Sequence, residues 1–115
     1  MNLTMSWSTY SSYCNSKGNG WSMAWFDKSE LTSFSRYLDS SNEYMVGAER
    51  LLRNDSWGQW IQTKDLIYSN SFPICNLNSS GSFYPTLKSA SRIWCLNELL
   101  EEAKWICKRG KFLLK

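Results

Sequence analysis

The side chains here that could do chemistry are four cysteines, Cys14, Cys75, Cys95 and Cys107, and a few closely spaced carboxylates; histidine is absent from all 115 residues. Without imidazole there is no Ser-His-Asp or Cys-His arrangement, no His-coordinated zinc and no His-based phosphoryl transfer. Glu98 with Glu101, and Asp27 with Glu30, stand three residues apart. Such pairs could share a site for proton transfer, but helix surfaces carry them routinely as solvated charge. Cys14, beside the run Asn15-Ser-Lys-Gly-Asn-Gly20, is the best nucleophile on offer, with no base visible near it. The two glycines of that run resemble a fragment of a phosphate-cradling loop, yet no strand-loop-helix context or Gly-Lys-Ser/Thr follows. These residues point away from catalysis, to a protein that is not an enzyme and uses no cofactor or metal.

The cysteine spacing contains no C-x-x-C pair, so neither a zinc knuckle nor a thioredoxin-like motif is present. On one helix, Cys95 and Cys107 would stand roughly 18 Å apart, beyond disulfide reach. The reading is of a reduced, cytoplasmic protein with buried thiols, the alternative being a disulfide that uses Cys14 or Cys75. A secretory signal is missing from the N-terminus, and the apolar stretches are interrupted well short of the roughly 20 residues a membrane helix needs. The sequons at Asn2, Asn54 and Asn78 are read as chance matches in a chain rich in Ser and Asn.

Elements must position whatever binds. Leu3, Met5 and Trp7, then Trp21, Met23 and Trp25, alternate with small polar residues, which predicts an N-terminal β-hairpin over 1–26 turning at Asn15–Gly20. Asp27-Lys-Ser-Glu30 has capping-box spacing and opens an amphipathic helix through Leu31, Phe34 and Leu38. Ser40-Ser-Asn-Glu43 offers a second box, with Met45, Ala48 and Leu52 continuing the stripe; the polar interruption and Gly47 favour two helices over one. Residues 57–84 read as short extended pieces between Asn/Ser/Gly turns, with no charge from Leu66 through Leu87, a stretch either pinned to the domain or held for a partner. After Pro85-Thr86, the residues Ile93, Leu96, Leu100, Ala103 and Cys107 predict a long helix ending at Gly110, with Glu98, Glu101 and Glu102 preceding Lys104, Lys108 and Arg109 as the macrodipole favours. The expected fold is a single α+β domain over 1–115: an N-terminal β-hairpin, short middle strands and two or three helices, the longest at the C-terminus.

On that helix Trp94 and Trp105 would sit about 160–180° from Leu96, with Glu98 and Glu101 between them. The candidate partner-binding patch is therefore Trp94, Glu98, Glu101 and Trp105, because tryptophan concentrates at interface hot spots. The competing reading covers this face with the uncharged middle segment. Lys104, Lys108, Arg109, Lys111 and Lys115 form the one basic cluster, a possible nucleic-acid contact on which Trp105 or Phe112 could stack a base. A net charge of +3 is too mild to announce a nucleic-acid binder. One small domain, no histidine and a Trp/Tyr/Ser-rich surface vocabulary predict a protein-binding module. The expected form is a small stoichiometric inhibitor or an immunity or anti-defence protein of bacterial or phage origin, with a nucleic-acid-binding accessory protein as the alternative. Its partner is another protein, with nucleic acid secondary and no membrane. A basic chain suits a neutral or acidic target face.

Overall fold

In the computed structural model the described residues are 7–50, 56–77, 84–98 and 103–114. Helix α1 (Trp7–Asn15) is followed by β1 (Ser22–Met23), then by α2 (Lys28–Phe34), which runs on as a 3-10 turn over Ser35–Tyr37. Strands follow: β2 (Tyr44–Met45), β3 (Ala48–Glu49), β4 (Gly58–Trp60), β5 (Leu66–Ile67), β6 (Thr86–Ala90), β7 (Ile93–Asn97), β8 (Lys104–Trp105), β9 (Cys107–Arg109) and β10 (Phe112–Leu114). They form three small sheets in the orders β1-β9-β10, β7-β6-β2-β8 and β3-β4-β5, antiparallel except where β2 runs parallel to β8. The molecule is a small compact α+β domain, as expected, with a radius of gyration of 13.0 Å.

The long C-terminal helix is overturned. Residues 86–97 fold as the β6–β7 hairpin, Thr86 opposite Asn97 and Ala90 opposite Ile93, and 104–114 continue as strands. Trp94, Cys95 and Leu96 are all buried because β7 is covered on both faces. A strand covered twice reads as an apolar run, and here it fell into step with a helical period. The reversal uses Ser91 and Arg92, both at positive φ (53° and 67°), the pattern of a type I′ turn without its usual Asn-Gly signature. Gly110, read as a helix stop, opens the two-residue turn that pairs Arg109 with Phe112.

The N-terminal hairpin is also corrected: Trp7–Asn15, within its span, is helix α1. Tyr10 and Cys14, four residues apart, are fully buried on one helix face. Strand β1 pairs with β9. Leu3 and Met5 lie outside the described residues. The turn expected at Asn15–Gly20 does form, with Gly18 and Gly20 at positive φ.

The first capping box forms as read: Asp27 accepts from the Glu30 amide at 2.7 Å, and Glu30 accepts from the Asp27 amide at 3.2 Å. Leu31, Phe34 and Leu38 are buried. The second helix of this region is overturned. Asp39 closes a turn by accepting from the Ser41 amide at 2.9 Å, and β2 and β3 follow. Gly47 serves a close approach, since a Cβ there would lie 2.9 Å from Met23 Cβ. Leu52 lies outside the described residues. The short middle strands are present as β4 and β5. The uncharged segment is pinned at Pro73–Cys75, where Ile74 bridges to Leu96 and the Cys75 amide donates to the Leu96 carbonyl at 2.9 Å.

All four thiols are in disulfides, which overturns the expectation of reduced, buried thiols: Cys14 pairs with Cys107 and Cys75 with Cys95. Cys95 and Cys107 do not bridge each other, each having another partner. The core falls into two clusters. One gathers Phe26, Val46, Leu87, Leu96 and Ile106; the other surrounds Cys14–Cys107 with Tyr10, Met23 and Met45. Among the described residues no helix is long and apolar enough to cross a membrane. The sequons at Asn2, Asn54 and Asn78 lie outside the described residues.

Candidate functional site: an arginine between two aromatic rings

In an antiparallel sheet, directly opposed side chains on one face are close enough to interact. Ser22 pairs with Lys108, which brings Trp21 abreast of Arg109, and Arg109 pairs with Phe112. The Arg109 guanidinium carbon lies 5.0 Å from the Trp21 ring centroid and 5.8 Å from that of Phe112. Gly20 admits this packing, because a Cβ there would meet Arg109 Cγ at 3.1 Å. Arg109 is exposed and Phe112 is 65% exposed. Among the described residues Arg109 has no carboxylate partner; Lys108 with Glu30 forms the ion pair. The row thus holds the guanidinium itself near two aromatic rings, and a guanidinium fork matches the geometry of a planar anion such as a carboxylate.

Lys108, the neighbour of Arg109, is 97% removed from water. Its side chain is 3% exposed, with Nζ donating to Glu30 Oε2 at 2.9 Å and to the Trp25 carbonyl at 2.8 Å, and lying 3.9 Å from the Trp25 ring centroid. Both faces of β9 are covered at this point, Cys107 being tied to α1 and Lys108 to α2. This lysine joins the core and leaves the basic surface.

The other sequence-derived candidates are dispersed. Trp94 and Trp105 lie on β7 and β8, opposite edges of the four-stranded sheet, roughly 14 Å apart at ordinary strand spacing. Trp94 is 9% exposed and packs 6.0 Å from Tyr44, centroid to centroid, while half-buried Trp105 packs 4.6 Å from Tyr13. The uncharged segment covers β7 in part, through Ile74. Glu98 is exposed just after β7; Glu101 lies outside the described residues. Of the basic set, Lys104 is half-buried on β8, Arg109 and Lys111 are exposed, and Lys115 lies outside the described residues.

The candidate chemical groups are engaged structurally. Cys14 is bonded to Cys107, and the Asp27/Glu30 pair caps α2 while Glu30 also holds Lys108. Tyr10 is fully buried, donating to the Ile106 carbonyl at 2.6 Å and accepting from the Ala24 amide at 3.0 Å; burial pushes its phenol far above the ordinary range. Trp21 was missed as a site residue because its alternation with Met23 reads as a buried face. The signal that could have found the row is Arg109-Gly-Lys-Phe112, a short turn flanked by strand-forming pairs. Fold and site together define a disulfide-tied α+β domain with an arginine–aromatic row, of which Arg109 and Phe112 are exposed and Trp21 is half-buried. The chain matches no protein-family model and no curated protein.

Proposed function

We propose that the protein is a non-enzymatic recognition domain that docks on an acidic surface of another protein through Trp21, Arg109 and Phe112. The observation that carries this reading is the row itself, Arg109 and Phe112 exposed and Trp21 half-buried, with Arg109 held between two rings and unmatched by any carboxylate among the described residues. Tryptophan and arginine are the residues most enriched at interface hot spots, and a preset guanidinium loses less freedom on binding. Such docking would act by occupying the partner's surface, as a stoichiometric inhibitor does. Two disulfides favour an oxidising compartment over the cytoplasm that an intracellular immunity or anti-defence protein would share with its target. Nucleic-acid binding through the tail is less favoured, since burial of Lys108 leaves Arg109 and Lys111 as the exposed cations on 104–114.

The test is affinity purification from the source organism with immobilised wild-type protein and an Arg109→Ala variant in parallel. The expected result is a stoichiometric protein retained by wild type and lost on the variant. With that partner in hand, Arg109→Ala and Phe112→Ala should each weaken binding by about 2 kcal/mol without lowering the melting temperature. Recovery of nucleic acid in place of protein, with a salt dependence that flattens in the variant, would overturn the reading.

A further inference from the structure

We propose that the hollow between α2 and the tip of the β6–β7 hairpin is a second recognition site. It takes an acidic peptide segment, seating one apolar side chain on Trp94 and the flanking carboxylates on Lys28 and Arg92. The hollow encloses about 260 Å³ and is walled by Lys28, Leu31, Pro73, Arg92, Ile93 and Trp94. That is below the roughly 300–1,000 Å³ of small-molecule sites, a size for a side chain and not a metabolite. Thr32 and Ser35 also border it, but their hydroxyls donate to the Lys28 and Thr32 carbonyls at 3.1 and 2.9 Å. The two cations therefore set its polarity, and among the described residues no carboxylate lines it.

Charge selects the occupant. On the other side of Lys28 a hollow of about 190 Å³ is bordered by Asp27 and Asp65, which would repel an anion. The hairpin tip supplies an independent observation. Ser91 and Arg92 both hold positive φ, a conformation that Asn and Gly adopt at lower cost, and local strain of this kind concentrates at binding sites. The turn brings Arg92 into the lining of the hollow and leaves Ile93 59% exposed beside it. An apolar seat edged by two cations complements an apolar side chain flanked by carboxylates. None of these residues belongs to the Trp21–Arg109–Phe112 row.

The probe is a fluorescein-labelled, N-acetylated hexapeptide of alternating glutamate and leucine, titrated into the full-length protein by fluorescence anisotropy and by amide chemical shifts. The expected result is saturable one-to-one binding with shifts at Leu31, Ile93 and Trp94. Arg92→Gln and Lys28→Gln should each weaken it at least about fivefold, while Arg109→Gln leaves it unchanged. Unaltered binding by the Arg92→Gln/Lys28→Gln double variant would overturn the inference, as would equal affinity for hexaglutamate, which shows charge attraction without an apolar seat. Loss of peptide binding in Arg109→Gln alone would place the peptide on the other row, overturning this inference but not the proposed function. Circular dichroism verifies the fold of each variant; should Lys28→Gln disturb α2, Arg92→Gln decides.

Discussion

Lys108 and Arg109 carry the same charge and stand side by side in β9, yet one is held in the core by Glu30 and the Trp25 carbonyl while the other faces solvent between two rings. A buried ammonium is tolerable because its donors are matched; left alone it would carry the desolvation cost of an unpaired charge. Tyr10 follows the same logic in neutral form, its hydroxyl matched by the Ile106 carbonyl and the Ala24 amide. Its phenol stays protonated in the fold well above the value of about 10 at which the unfolded chain releases the proton. Tyr10 therefore contributes its full stabilisation below about pH 10 and loses it as pH rises above that. Urea unfolding across the alkaline range should show the midpoint falling above about pH 10. Tyr10→Phe should flatten that fall while lowering stability near neutrality by about 1 kcal/mol, because the Ile106 carbonyl and the Ala24 amide each lose the hydroxyl while keeping their mutual bond at 3.3 Å. An unchanged alkaline slope in the variant would assign the effect elsewhere.

At the scale of elements, the β6–β7 hairpin shows how pairing and burial override period. Its turn residues are neither glycine nor asparagine, and the middle of its second strand is buried, with Trp94, Cys95 and Leu96 all covered. The capping box of α2 was legible because its signal is local: a side chain three residues from an amide closes a bond whatever the rest of the chain does. The turn offers a direct measurement. Ser91→Asn with Arg92→Gly relieves both left-handed positions and should stabilise the domain by about 1–2 kcal/mol, seen as a higher melting temperature. The same variant should bind the acidic peptide more weakly, since it removes a cation. A lower melting temperature would mean that the native side chains make contacts worth more than the strain they impose.

For the whole molecule, the disulfides set which parts must hold together. Cys14–Cys107 ties α1 to β9 across 93 residues of sequence, and Cys75–Cys95 ties the uncharged segment to β7 across 20. By loop-closure entropy the longer link is worth about 4–5 kcal/mol and the shorter about 3 kcal/mol, less when both are present because one loop lies inside the other. Replacing Cys14 and Cys107 by serine should thus lower the denaturant midpoint more than replacing Cys75 and Cys95. It should also loosen the sheet that carries Trp21, Arg109 and Phe112, whereas the shorter link can be lost with that row intact. The reverse order of stabilities would show that contacts around Cys75–Cys95, and not chain entropy, dominate.

The amino-acid sequence by itself determined what is local or compositional: the lack of imidazole chemistry, the capping box at Asp27 and Glu30, the reversal at Asn15–Gly20, and the burial of Leu31, Phe34 and Leu38. Each depends on residues a few positions apart, so neighbours suffice to specify it. Tertiary structure alone decided which cysteines pair, that 86–97 is a hairpin, that Trp94 and Trp105 part to opposite sheet edges, and that Lys108 goes inward while Arg109 goes out. Those outcomes turn on partners such as Ser22 for Lys108 and Cys14 for Cys107, more than 80 residues distant in sequence, and strand pairing and two-sided burial have no local signature.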